Sequence, residues 1–182
     1  MKYKIKNNNL KYIVKLTILI PLILFSSCAE NIDKDTINNF DDYQKAKDIL
    51  VQNIKEIKEN VDYQLVNENL NQENQNVFFS NEFHFKNTVA QKNKELLKVL
   101  DLWTDGRISA DKVFGTISLS NDSTVIFKTK YNGGIFSGIS HYLIYDPQNR
   151  IGLKTDKNSE ILKVEEIKKN WKYVIEKRFY VD

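Results

Sequence analysis

Cys28 is the only cysteine in the chain, and the residues around it single it out for covalent chemistry. It closes the run Leu24-Phe25-Ser26-Ser27-Cys28, behind an apolar stretch from Leu16 to Phe25. Upstream lie Lys2, Lys4, Lys6, Lys11 and Lys15, with no acidic residue among them. A lone thiol has no disulfide partner and is anomalous in an oxidising compartment, so modification of the sulfur is the expected fate. His84 and His141 are the only histidines, and a zinc site would need both plus carboxylates gathered by the fold. Ser140-His141 invites a hydrolytic reading. Adjacent strand residues point to opposite faces, however, and no Gly-x-Ser-x-Gly elbow flanks them. The closest carboxylates are Glu165-Glu166, Asp41-Asp42 and Asp101/Asp105. A glycosidase needs two carboxyls about 5–10 Å apart across a cleft, which spacing along a chain does not establish. Gly133-Gly134 is no phosphate loop, because no Lys-Ser/Thr follows. No catalytic, cofactor-binding or metal-binding residue is assigned on these grounds, and no cofactor is expected.

Basic, then apolar, then small residues is the order of a secretory signal. The apolar stretch is about half the roughly twenty residues needed to span a bilayer, and Pro21 disfavours an anchor helix. Leu24 to Cys28 resembles a bacterial lipobox. That resemblance implies that residues 1–27 are cleaved and that Cys28 carries a diacylglyceryl thioether with an amide-linked acyl chain. Two or more chains hold a protein stably where one would not. The expected location is the extracytoplasmic side of the cell envelope, with Ala29 after the cysteine leaving the outer membrane open where the cell has one. Removing five of 27 basic residues leaves 22 against 24 acidic ones, so the formal +3 becomes −2. Nothing in that balance supports a nucleic-acid partner.

Asp101 to Lys112 resembles a calcium-binding EF-hand loop, with Asp101, Asp105, Gly106 and Ile108 on matching positions. Trp103 and Lys112 replace oxygen ligands there, and an ammonium cannot coordinate calcium. A helix cap and loop is the expected role.

The elements that would position these groups follow from periodicity. Residues 28–39 read as the lipidated cysteine and a polar tether, and 40–182 as one α+β domain. Phe40, Tyr43, Ala46, Leu50, Ile54, Ile57 and Val61 recur at three- and four-residue steps, predicting a helix from about Phe40 to Asn60. A second helix is expected from about Thr88 to Trp103, stopped by Gly106. Between them, Asn67 to Asn76 is a polar loop, and Phe83/Phe85 alternate like a short strand. Beyond Gly106 the period falls to two. Val113–Ser120 and Thr124–Tyr131 are strand candidates around Asn121-Asp122. Ile135–Tyr145 follows a turn predicted at Asn132-Gly133, where a type I′ hairpin needs positive φ at both positions. Asp146-Pro147-Gln148-Asn149 closes that strand, and Arg150–Thr155 returns. Glu160–Ile167 and Trp171–Val181 read as a closing hairpin around Lys169-Asn170, although Glu160–Lys169 also fits a helical period. On the last strand, Trp171, Tyr173, Ile175 and Phe179 share one parity with the charged Lys177.

Helices ahead of a curved antiparallel meander, packed on one of its faces, give the expected α+β architecture. Element order and the closing Asn170-Trp171-Lys172-Tyr173 strand are similar to cystatin-like and nuclear-transport-factor-like domains. That likeness transfers no catalytic residue, because those folds host unrelated functions. Tyr131, His141 and Tyr173 are the candidate ligand-facing residues. Three functions fit: a non-catalytic envelope lipoprotein binding a macromolecule or small ligand, immunity-type proteins included; a small hydrolase or isomerase around a conical cavity; or a structural envelope component. An exposed, contiguous aromatic patch would favour the first, and a deep pocket lined by His141 or a buried carboxylate the second.

Overall fold

Side-chain period sets the architecture, with helical repeats early in the chain and alternation later. The computed structural model describes residues 31–60, 77–108, 115–120, 122–149 and 157–180. The elements are α1 (Lys34–Asn38), α2 (Phe40–Gln52), α3 (Ile54–Asn60), β1 (Val77–Phe79), α4 (Glu82–Phe85), α5 (Lys94–Thr104) and β2 (Thr116–Leu119). They are followed by β3 (Val125–Gly133), β4 (Ser137–Tyr145), β5 (Ser159–Lys168) and β6 (Trp171–Phe179). This is an α+β fold built on a six-stranded antiparallel open sheet. No helix among the described residues is long and apolar enough to cross a membrane.

The polar stretch expected as a tether contains α1 instead. Asp33 caps it, its Oδ2 accepting from the Thr36 N–H at 3.1 Å and the Thr36 hydroxyl at 2.9 Å. Thr36 is buried, so this end of the stretch belongs to the folded domain. The predicted apolar stripe is realised at Tyr43, Ala46, Leu50 and Ile57, all buried, while Phe40 and Ile54 pack at the margin of the core. Val61 lies outside the described residues. The stripe crosses an interruption at Asn53, whose Nδ2 donates back to the Ile49 carbonyl at 2.8 Å. A short amide competing for a backbone acceptor is a recognised cause of a helix break.

The second predicted helix is also divided. One turn of π-helix (Lys86–Ala90) follows α4 directly, and α5 begins afresh behind Asn93. Asn93 Oδ1 accepts from the Glu95 N–H at 2.8 Å. Its Nδ2 donates to Asn53 Oδ1 at 3.0 Å and Glu56 Oε2 at 2.6 Å. One amide thus caps α5 and ties it to the α2–α3 break. Gly106 ends α5 as expected, with φ of 75°. The Gly106 N–H reaches the Trp103 carbonyl and the Arg107 N–H the Leu102 carbonyl, the paired bonds of a Schellman stop. Phe83 and Phe85, expected on a strand, lie on α4, because Asn81 caps a helical turn by accepting from the His84 N–H.

Strand order is β1-β2-β3-β4-β6-β5. β2, β3 and β4 run as a meander, with β1 joined to its edge across the connection that carries α4 and α5, but β6 rather than β5 lies beside β4, leaving β5 at the other edge. The closing hairpin forms around Lys169-Asn170, with Asn170 at φ 67°. The alternative helix over Glu160–Lys169 is not adopted. β5 turns Lys163 and Glu165, themselves ion-paired, toward the same face as Tyr173 and Ile175. Charge on an edge strand discourages pairing with another sheet. The predicted return at Arg150–Thr155 lies outside the described residues.

The β3–β4 hairpin exists, but its tip sits beyond the predicted position. Gly133 pairs with Gly138 across the strands, and the turn is closed by the Gly134 N–H donating to the Ser137 carbonyl at 2.8 Å. Neither Asn132 nor Gly133 has positive φ. A bulge at Thr129 shifts the register between Lys128/Tyr142 and Lys130/His141. One sheet face carries Phe79, Ile117, Phe127, Leu143 and Tyr173 into a core cluster with Tyr43, Leu50, Leu96 and Trp103. Tyr43 meets Phe127 edge-on at 5.2 Å, and Phe40 meets Trp171 at 5.2 Å.

Candidate binding surface at the hairpin end of the sheet

His141 and Tyr173, two of the three candidate ligand-facing residues, are brought together. The register sets His141 opposite Ile175 on the core face, one step from the Leu143–Tyr173 pair. Tyr173 is fully buried and its hydroxyl lies 2.7 Å from His141 Nδ1. The same oxygen accepts from the Asp33 N–H at 3.0 Å. With that lone pair taken, the phenolic proton is best used by donation to Nδ1, which puts the imidazole proton on Nε2. His141 is 4% exposed. Burial, reinforced by the Lys130 ammonium, lowers its pKa below the ordinary value. Lys130 Nζ stands 4.0 Å from Asp33 Oδ1. The pair therefore ties the start of α1 to the sheet interior, with little of either side chain open to a ligand.

The other chemical candidates sort in the same way. Ser80 Oγ contacts His84 Nδ1 within one helical turn, which accounts for that pairing as part of the α4 cap. Asp101 lies inside α5 and Asp105 caps it, paired with Arg107 at 3.0 Å, so the first EF-hand positions are helical. Among the described residues, no three His, Cys, Asp or Glu gather as a metal site. The buried carboxylate of Asp146 belongs to the β4 turn, with Lys172 Nζ at 3.6 Å. A shallow groove of about 480 Å³ lies between α2 and α5, lined by Lys45, Asp48, Ile49, Lys98, Leu102 and Arg107 among others. His141 does not line it.

Tyr131, the third candidate, leads to a different surface. Past the bulge it pairs with Ser140, on the face opposite the His141–Tyr173 pair. Its ring lies over Gly133 and Gly138, where an added Cβ would come within 2.6 Å and 2.7 Å of ring or hydroxyl atoms. Glycine at both positions thus makes room for an aromatic ring flat on the sheet. Lys128 Nζ stands 4.6 Å from the ring centroid on the same strand. The Tyr131 hydroxyl meets that of Tyr180, and this hydrogen bond raises the Tyr180 pKa. Nearby, the Tyr142 hydroxyl bonds Glu176 Oε2 at 3.1 Å, and Arg178 Nε holds the same oxygen at 3.1 Å.

The apolar residues at this end are presented to solvent. Ile135 is 87% exposed, Phe136 79%, Phe179 38% and Tyr180 45%. They gather at one end of the sheet, where the Tyr180 N–H donates to the Phe136 carbonyl at 2.9 Å and Ser137 pairs with Phe179, while Phe179 and Tyr180 project to opposite faces. Solitary exposed apolar residues are ordinary, whereas several gathered at one end of a sheet mark an interaction surface. Sequence reasoning assigned Ile135 and Phe136 to a strand, and Phe179 to the apolar face of the last one. The missed signal was two large apolar residues between Gly133-Gly134 and Ser137-Gly138, where a turn has no core to face. No family model, curated protein or solved structure matches this chain.

Proposed function

We propose that this chain is an envelope lipoprotein, held by acyl groups on Cys28 on the extracytoplasmic side of a membrane, whose domain acts as a non-catalytic binding module. The observation that carries the binding role is the exposure of Ile135, Phe136, Phe179 and Tyr180 together at the hairpin end of the sheet. A monomer gains nothing from exposing two large apolar side chains on a two-glycine hairpin, so the patch serves contact. The anchor rests on the leader's residue order and on Cys28 being the sole thiol. The engaged, buried His141 argues against a hydrolytic centre at Ser140-His141. The cystatin-like resemblance adds no residue to the proposal.

The test uses a photoreactive phenylalanine analogue at position 136 in the intact chain, with a second chain carrying it at Lys169. Light should give an adduct from position 136 and none from 169. Adducts absent from both, or equal at both, would remove the hairpin end as the contact surface.

A further inference from the structure

We propose that the hairpin end is a second membrane contact, a lipid surface entered by Ile135 and Phe136 beside the acyl anchor. The proposal rests on the reading of Cys28 as lipidated. Three observations favour lipid over a folded partner.

The first is shape. The turn closed by Gly134 and Ser137 carries Ile135 and Phe136 outward, 87% and 79% exposed, as a protruding apolar tip. Phe179 and Tyr180 follow on the two faces of the sheet beside the tip, and a tyrosine there suits the headgroup level of a bilayer.

The second is charge. Lys130 and Arg178 are both well exposed near this end, while the acids they meet, Asp33 and Glu176, are largely buried. Glu160, paired across the strands with Lys177, is the exposed acid of the group. Among the described residues facing solvent here, cations prevail, which suits anionic headgroups.

The third is covalent reach. Cys28 precedes Asp33 by five residues, which span at most about 18 Å when extended. Asp33 sits 4.0 Å from Lys130, which is three residues from Gly133, roughly 10 Å along the strand. An acyl chain on Cys28 therefore keeps the bilayer within reach of the tip. The domain would then rest on the membrane by two points, chain and hairpin.

The test exploits the single native thiol. Phe136→Cys and Lys169→Cys are made separately in the full chain, labelled with an environment-sensitive dye, and reconstituted in phosphatidylethanolamine–phosphatidylglycerol vesicles carrying a shallow lipid-attached quencher. Position 169 is exposed in the β5–β6 turn, eight residues along β6 from the tip, or about 26 Å. The dye at 136 should shift to the blue and lose intensity, and the dye at 169 should do neither. No shift at 136, or equal quenching at both sites, overturns the membrane contact; a protein-only surface gives the former. The unsubstituted chain is treated with dye in parallel. Uptake there overturns the lipidation of Cys28 alone, and Cys28→Ser/Phe136→Cys with the same vesicles then decides the tip, a blue shift supporting it and its absence overturning it.

Discussion

Removing the Tyr173 hydroxyl tests whether the His141–Tyr173–Asp33 connection holds the start of the domain to its sheet. In Tyr173→Phe the ring keeps its place in the core, so the packing loss is small. Two groups lose their partner: His141 Nδ1, at 2.7 Å, and the Asp33 N–H, at 3.0 Å. Stranding a buried acceptor costs about 1–3 kcal/mol, and the half-buried N–H, which can turn to water, about 0.5–1.5 kcal/mol. Tautomer exchange at His141 gives no relief, since Nδ1–H would face a phenylalanine edge. The expected loss is about 2–4 kcal/mol, and at roughly 2–4 °C per kcal/mol for a domain of this size Tm falls by about 5–12 °C. Urea titration followed by tryptophan fluorescence measures it, because Trp103 and Trp171 both lie in the core. Adding His141→Leu closes a double-mutant cycle in which a coupling of about 1–2 kcal/mol is expected. A loss below about 0.5 kcal/mol in Tyr173→Phe, as for a bland surface substitution, would refute the reasoning.

Asn93→Ala should cost about 1–2 kcal/mol by uncapping α5, and Asn93→Asp should fail to rescue fully, since a carboxylate keeps the cap but meets Glu56 without a donor; chemical denaturation compares the two. Gly138→Ala should drive the Tyr131 and Tyr180 rings off the sheet, an added Cβ lying within 2.7 Å of both, and a stability equal to the parent's would contradict the close packing. Because burial lowers the folded pKa of His141, the unfolded chain binds the proton first as pH falls through about 6.5. Stability is therefore lost on acidification below that value, with a slope of at most about 1.4 kcal/mol per pH unit from this group. Tm measured between pH 7.5 and 5.5 should fall less steeply in His141→Leu than in the parent.

Much of the fold is written in local pattern. The Tyr43-Ala46-Leu50-Ile57 stripe is buried as its spacing requires, and Gly106 stops α5 through its positive φ. On the last strand Trp171, Tyr173 and Ile175 are buried as their parity requires, but Val174 and Glu176 of the other parity are buried as well. What escapes is decided by contacts distant in sequence. Asn93 interrupts a helical period because its amide is worth more bridging to Asn53 and Glu56 than exposed on a continuous helix. Residues 33–38 look like tether by composition, yet Asp33 meets Tyr173 and Lys130, 140 residues away in the first case. The order of β5 and β6 is invisible locally, since either strand of a hairpin can pair with β4. His141 and Tyr173 were legible as polar groups on strands, but the bulge at Thr129 that helps set which side chains share a face was not. Asn132-Gly133 signals a hairpin correctly, while the Tyr131 ring lying over Gly133 and Gly138 explains why those glycines pair within the strands rather than form the turn.

The proposed acylation of Cys28 is what would join the leader, the compartment and the reach of the hairpin into one account. The most direct measurement is the intact mass and N-terminal peptide of the protein extracted from membranes of expressing cells. The account predicts a chain beginning at Cys28 with a diacylglyceryl thioether. A membrane-retained chain that still carries residues 1–27 and a free Cys28 thiol would contradict it.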